Sequence, residues 1–172
     1  MTPLKTPHTG FGATDGTFTV YCANTPSTTA LDPHKITPIC YQDIEQINSD
    51  NGNGWRKIFN VYAKILFEIN SMTFKDWQSL RNEYLLQTHC AHSLILNPID
   101  ITKTQNVQLI MGKGFALSFF DEPDIQWITP KIAHVKLADY PNTFITPYFD
   151  YRQFNNADIT EFANIIKNIA KF

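Results

Sequence analysis

The segment from Tyr148 to Arg152 carries the side chains of this sequence best suited to hold a small ligand. It combines aromatic rings with the carboxylate of Asp150 and the guanidinium of Arg152. Such a mixture offers stacking surfaces and fixed opposite charges, and functional loops often contain it. An Asp150–Arg152 ion pair that only fixes the loop would explain the same residues. The segment therefore predicts either a ligand-binding loop or a structural ion pair.

Polar residues also follow three apolar segments elsewhere in the chain. They are Asn24 and Ser27, Asn97 and Asp100, and Lys113 between two glycines. An asparagine amide can donate and accept hydrogen bonds at once, as recognition of a nucleobase requires, and glycine lets a ligand approach the backbone closely. Ordinary turns use the same residues, and Gly112–Gly114 lacks the spacing of a phosphate-binding P-loop. We predict these residues as ligand contacts, with plain turns as the alternative.

Histidine and cysteine side chains suggest no metal site. His89, Cys90 and His92 are close in sequence, but their spacing matches no standard zinc pattern. His134 alternates with apolar neighbours in a predicted strand, which favours a solvent-facing or hydrogen-bonded side chain. The acidic residues around Pro123 are typical of a solvated loop. No cofactor is predicted.

The composition limits the partners and the compartment. The 172 residues include 14 basic and 16 acidic side chains, a formal charge of -2, which disfavours but does not forbid binding to nucleic acid. Three cysteines without a CxxC pair fit a reducing compartment, so we expect a cytoplasmic protein. We expect no secretory signal, and no apolar run in the sequence reaches the roughly 18 to 20 residues that cross a bilayer. The oligomeric state stays open.

The positions of these polar loops follow from the predicted helices and strands. Apolar runs predict strands at 17–23, 93–96 and 107–111, and one or two more within 132–137 and 143–145. Apolar residues at three- and four-residue spacing predict a helix from Trp55 to Ile69, and a second follows from Thr73 to about His89. Shorter helices are predicted at 41–48 and 114–120, and a last one is capped by Asp158.

This order of elements predicts one α/β domain over residues 1–172, with an irregular segment at 1–16. Continuous rather than alternating apolar runs indicate strands covered on both faces. We therefore expect a three-layer α/β/α sandwich around a mainly parallel, four-stranded central sheet. Loops at the carboxyl ends of parallel strands meet at one edge, so the polar loops should form a single cleft there.

The loop order resembles that of the uracil-DNA glycosylase superfamily. The similar features are Asn24-Thr25-Pro26 after the first predicted strand, Leu96-Asn97-Pro98 after the second, Gly112-Lys113 after the third and Thr146-Pro147-Tyr148 before the last helix. The resemblance implies a parallel sheet between helix layers, with a base pocket at the strand ends. The family's last motif contains a His-Pro pair, whereas this chain has Thr146-Pro147. The likeness thus supports a fold and a pocket position more than an activity.

Three hypotheses remain. The first is a domain that binds a small molecule, a nucleotide or a base in the cleft, with degenerate catalytic motifs. The second is an active base-excision enzyme in which Asn24 holds the water and Tyr148 or Arg152 replaces the missing histidine. The third is a protein-interaction module whose exposed aromatic side chains include Phe149, Tyr151 and Phe154.

Overall fold

The computed structural model describes residues 7–70 and 73–170. Its strands are β1 (Thr9–Gly12), β2 (Phe18–Cys22), β3 (Ile36–Thr37), β4 (His92–Leu96), β5 (Val107–Met111), β6 (Ile125–Trp127), β7 (Ala133–Val135) and β8 (Thr143–Thr146). Its helices are α1 (Tyr41–Asn51), α2 (Asn53–Ile69), α3 (Trp77–Glu83), α4 (Lys113–Ala116) and α5 (Asn156–Ile169). A short 3₁₀ turn at Glu122–Asp124 precedes β6.

The strands form one mixed sheet in the order β3-β1-β4-β2-β5-β8-β7-β6. The four strands β4, β2, β5 and β8 run parallel to one another, and antiparallel pairs join them to β1 on one side and to β7 on the other. The α/β class is confirmed. The predicted four-stranded, mainly parallel sheet is wrong, because the sheet has eight strands in a mixed arrangement.

One face of the sheet is covered by α1, α2, α3 and α5, which bury the larger of two apolar clusters against it. The helix α2 forms where the sequence predicts it, since its apolar residues recur on one side and Ile58, Phe59 and Tyr62 are fully buried. Within this face, His92 at the start of β4 is 2% exposed. We call this side of the sheet the helical face.

The other face carries a smaller apolar cluster and a row of polar side chains, and we call it the polar face. Strand register aligns Ser93, Thr19, Gln108 and Thr143 across β4, β2, β5 and β8. The Gln108 amide accepts a hydrogen bond from the Tyr21 hydroxyl at 2.7 Å and donates to the Thr102 carbonyl at 2.8 Å and to Thr143 Oγ1 at 3.1 Å. Loops and the four-residue α4 cover this face among the described residues, so the symmetric three-layer sandwich is not matched.

One prediction at the N-terminal side is wrong, namely the irregular segment at 1–16. Within the segment expected to be irregular, Thr9–Gly12 forms β1, and residues 1–6 lie outside the described residues. A Cβ atom at Gly10 would collide with the Leu94 carbonyl oxygen, and one at Gly12 with the His92 carbonyl oxygen. These glycines let β1 approach β4 closely, and they also remove the alternating side chains by which a strand is identified in a sequence.

The second predicted helix begins later and ends earlier than predicted, and the last one begins earlier. Helix α3 ends at Glu83 rather than near His89, and Asp76, not Thr73, caps it by accepting a hydrogen bond from the Ser79 amide at 2.8 Å. Helix α5 is capped by Asn155, and Asp158 is its third residue in a reciprocal capping box. Short polar residues two to four positions apart can each act as a cap, so pattern alone cannot select one.

Candidate functional site

The ends of the four parallel strands place four loops at one edge of the sheet. The Asn97 amide donates to the Cys22 carbonyl at 2.8 Å, which joins the loops after β4 and β2. The Gly112 amide donates to the Thr146 carbonyl at the same distance and joins the loops after β5 and β8. The shared strand direction thus brings these turns together, as expected for neighbouring parallel strands.

Two of the predicted ligand residues touch one another at this edge. The side-chain amide of Asn24 donates to the Tyr148 hydroxyl at 2.9 Å. Burial raises the pKa of the Tyr148 hydroxyl, and it raises the pKa of the neighbouring Cys22 thiol to about 11. Cys22 is therefore a protonated, buried thiol and not a reactive nucleophile.

A cleft of about 420 Å³ lies beside Tyr148, and we call it the C-terminal cleft. Its lining residues are Gly112, Lys113, Gly114, Trp127, Pro130, Lys131, Thr146, Pro147, Tyr148 and Gln153. Lys113 Nζ lies 5.4 Å from the centroid of the Trp127 ring, within the range of a cation–π contact, and 3.8 Å from Glu122 Oε1. Trp127 is 41% exposed, so part of its ring is open to a ligand.

Glycine shapes one wall of the C-terminal cleft. Gly112 has a φ of 107°, which side chains rarely tolerate, and a Cβ atom at Gly112 or Gly114 would meet nothing within 4 Å. The strand therefore turns sharply into α4 with its backbone beside open space. A ligand could approach this backbone without displacing a side chain.

The other predicted residues lie outside the C-terminal cleft. The Ser27 amide and carbonyl both bond to the side chain of Asn51, which ties the loop after β2 to α1. His8 Nε2 lies 2.8 Å from Asp100 Oδ1, and Asn97 is exposed with a φ of 44°. Asparagine tolerates this left-handed conformation better than most residues, which accords with a turn position.

The segment after Tyr148 is fixed by an ion pair, but with a different partner from the predicted one. Asp150 Oδ2 lies 3.1 Å from Lys57 Nζ of α2, and Asp150 Oδ1 accepts a hydrogen bond from the Arg152 backbone amide at 3.0 Å. The amide of Arg152 and the Lys57 ammonium hold the pKa of the Asp150 carboxyl below its usual value. The Arg152 side chain is exposed.

The prediction that the aromatic side chains around this segment are exposed is wrong for two of the three residues. Phe149 and Phe154 are fully buried and stack on each other with ring centroids 6.0 Å apart. Tyr151 alone of these three aromatic residues is exposed, and its hydroxyl accepts a hydrogen bond from the Asn60 side chain at 2.8 Å. The sequence pattern did not separate the buried rings from the exposed one. In an irregular loop, side chains point toward the core or toward solvent without a fixed period.

The histidine and cysteine cluster has a structural role. His92 Nε2 accepts a hydrogen bond from the Leu86 amide at 2.9 Å, and Tyr62 and Tyr84 contact the ring edge to face. Burial lowers the pKa of His92 to about 3, so the ring is neutral at physiological pH. Within residues 7–70 and 73–170, no group of three or more His, Cys, Asp or Glu side chains could hold a metal ion.

Four residues of the C-terminal cleft were not predicted from the sequence, namely Trp127, Pro130, Lys131 and Gln153. Trp127 reaches the cleft from the edge strand β6, and Lys131 from the turn that follows. Lys131 Nζ also lies 2.7 Å from Asp158 Oδ2 of α5. The signal available in the sequence was a tryptophan next to a polar turn. Its position at the end of β8 follows only from the antiparallel pairing of β6 with β7 and of β7 with β8.

The comparisons with known proteins identify a family without an assigned activity. In the part of the chain that the structure describes, no helix has the length and apolar character needed to cross a membrane. No curated protein and no solved structure matches the chain. A family model matches residues 9–167, which is nearly the whole chain. The protein therefore belongs to DUF6942, a family of unknown function.

Proposed function

We propose that this protein binds a small aromatic anion, a nucleotide in the first instance, in the C-terminal cleft. The observation that carries the proposal is the partly exposed Trp127 ring with Lys113 beside it, in the same cleft as Lys131 and Tyr148. A ring face binds a flat heterocycle by stacking, and ammonium groups attract phosphate oxygens. These two kinds of group match the two parts of a nucleotide.

The size of the C-terminal cleft suits such a ligand. Its volume of about 420 Å³ lies within the range of small-molecule sites. The cleft is open to solvent, so we expect the base to stack on Trp127 while the phosphates lie toward the lysines. The net charge of -2 opposes the gripping of a long nucleic acid more than the binding of one small anion, because only the local field matters for the latter.

Lys113 of the C-terminal cleft can exchange its present partner for a phosphate. Lys113 and Glu122 are both mainly exposed, with side-chain exposures of 54% and 72%. Exposed ion pairs of this kind stabilise a protein by about 0 to 1 kcal/mol. A ligand phosphate with two or three charged oxygens therefore competes well for the ammonium group.

The experiment is a titration of the full chain with adenine and uracil nucleotides, followed by tryptophan fluorescence and by thermal melting. Specific binding quenches fluorescence saturably and raises the melting temperature. Trp127→Ala should weaken binding about tenfold or more, because base stacking contributes roughly 1–3 kcal/mol. Lys113→Gln should weaken it as well.

The matched control is Lys103→Gln, since Lys103 also pairs with an exposed carboxylate, Asp139, at 3.3 Å but does not line the C-terminal cleft. Equal losses in Lys103→Gln and Lys113→Gln would indicate non-specific charge effects. Absence of saturable binding at millimolar nucleotide would exclude the proposal.

Base excision is a second candidate, and the contact between Asn24 and Tyr148 favours it. Asn24 donates its amide N–H to Tyr148, and this orients the carbonyl oxygen of its side chain, which can accept a hydrogen bond from a water molecule. The test is uracil release from single-stranded oligonucleotides. Base excision requires release by the wild-type protein and its loss in Asn24→Ala, and wild-type release that survives this substitution would reject the assignment of Asn24.

A further inference from the structure

A second polar cleft lies among the helices α1, α2 and α3. It has a volume of about 290 Å³, and we call it the arginine cleft. Its lining residues are Tyr41, Ile44, Glu45, Asn48 and Ser49 of α1, Arg56 of α2 and Arg81 of α3. Three helices thus bring two guanidinium groups to one small cavity.

The guanidinium of Arg81 is held in place by neutral groups. Its Nη1 donates to Asn60 Oδ1 at 2.7 Å, and its Nε donates to Asn82 Oδ1 at 2.9 Å. Its central carbon lies 5.2 Å from the centroid of the Trp77 ring. An arginine has five N–H donors, and these contacts use two of them. The side chain is therefore oriented without loss of its charge.

Asn60 is the residue that fixes this arrangement. It is 8% exposed in the middle of α2, and its amide N–H donates to the Tyr151 hydroxyl at 2.8 Å while its oxygen accepts from Arg81. A polar side chain in a buried position is costly unless both of its ends are bonded. The pair of contacts sets the orientation of the amide, and hence the position at which Arg81 is held.

Two arginines and one carboxylate line the arginine cleft, so its positive charge is only partly balanced. Among the residues that the structure describes, neither Arg56 nor Arg81 forms an ion pair. The acidic residue that lines the cleft is Glu45, and it interacts with the Tyr41 hydroxyl, whose pKa it raises. With two cationic side chains and one anionic side chain in its lining, the cleft has an excess of positive charge that favours a bound anion.

We propose that the arginine cleft binds the phosphate group of a small phosphorylated compound. The fork of guanidinium N–H groups matches phosphate oxygens in geometry as well as charge. The cavity is larger than one phosphate, and its lining includes Ser49, Asn48 and Tyr41, whose polar side chains suit a ligand with hydroxyl groups. This site is separate from the C-terminal cleft and shares no lining residue with it.

The test is calorimetric titration of the full chain with inorganic phosphate and with glycerol phosphate. Both should bind saturably, and glycerol phosphate at least as tightly. Arg81→Gln should weaken both about tenfold or more, because it removes a charged, oriented donor group. Arg56→Gln should weaken the binding of both compounds about threefold, since the exposed Arg56 side chain loses more conformational entropy on binding than the oriented Arg81.

Two control variants separate this site from general charge effects and from the nucleotide proposal. Arg152→Gln removes an exposed arginine outside the arginine cleft, and Lys113→Gln removes a lysine of the C-terminal cleft. Both should bind phosphate as the wild type does. Nucleotide binding that depends on Lys113 can fail without affecting this result, so the two proposals stand or fall separately.

Several outcomes would overturn the assignment. They are no saturable heat up to about 20 mM phosphate, equal losses in Arg152→Gln and Arg81→Gln, or binding of inorganic phosphate but not of glycerol phosphate. Arg81→Gln leaves the buried Asn60 oxygen without its donor and could unfold the chain, so each variant is first compared by its melting temperature. Arg56→Gln keeps the test decisive, because wild-type affinity in this folded variant also rejects the site.

Discussion

The two faces of the sheet are both buried, but different elements cover them. The helical face is closed by four helices and packs aromatic and aliphatic side chains on one another. The polar face carries the hydrogen-bonded row across β4, β2, β5 and β8, which is covered mainly by loops. Close packing is intolerant of lost volume, whereas a hydrogen-bonded network is intolerant of lost partners. The two faces should therefore respond to different substitutions.

The largest contrast should come from two adjacent residues of β5. Leu109 points into the helical face and Ile110 into the polar face, and both are fully buried. Truncation of a buried aliphatic residue to alanine costs about 2–5 kcal/mol, with the higher values where the surroundings cannot relax. We expect Leu109→Ala to lower the free energy of unfolding more than Ile110→Ala, as measured by urea denaturation. Equal losses would remove the distinction between the faces.

The free energy of unfolding should depend on pH through His92, which is buried in the helical face. Its pKa in the folded state, about 3, lies below that of an unfolded histidine, so the unfolded chain binds more protons between these values. The contribution of the neutral ring is complete above about pH 6.5 and should fall by about 1.4 kcal/mol for each pH unit below it. His92→Gln keeps a hydrogen-bond acceptor but does not titrate, so its unfolding free energy should change less between pH 7 and pH 4.5. An identical slope in both proteins would contradict the assignment.

The smallest of the three effects should come from the polar face. Gln108→Leu keeps the volume of the side chain but removes the acceptor of the Tyr21 hydroxyl proton and the donor to the Thr102 carbonyl, and Tyr21 keeps only the bond that it accepts from the Thr102 amide at 3.2 Å. Loss of a buried partner costs about 1–3 kcal/mol. Gln126→Leu is the matched control, because Gln126 is an exposed strand residue. A Gln108→Leu variant as stable as the control would indicate that the polar row does not stabilise the fold.

The sequence was informative where the apolar pattern was long or continuous. Helix α2 and the strands β2, β4 and β5 lie where that pattern predicts them, since each must be apolar over most of its length to be buried. The short strands β1, β3 and β6 were missed. Each has two to four residues, too few to establish a period, and β1 is defined by glycines that allow close approach to β4.

The sequence predicted the edge of the sheet at which the candidate site lies, but not all of the residues that line it. The direction of parallel strands correctly brought Asn24, Lys113 and Tyr148 to one edge of the sheet. Trp127 and Lys131 come from an antiparallel hairpin whose pairing leaves no mark in the local sequence. The partner of Asp150 is equally non-local, because Lys57 lies on α2 and is 93 residues away along the chain.

The short run from Tyr148 to Tyr151 connects the two proposed clefts. Tyr148 lines the C-terminal cleft, Asp150 is anchored to α2 by Lys57, and Tyr151 bonds the amide that orients Arg81. The two proposed clefts are thus joined by a short stretch of backbone that is itself anchored at Asp150. If each cleft binds its proposed ligand and binding at one moves this run, thermodynamic linkage requires each ligand to change the affinity of the other by the same factor.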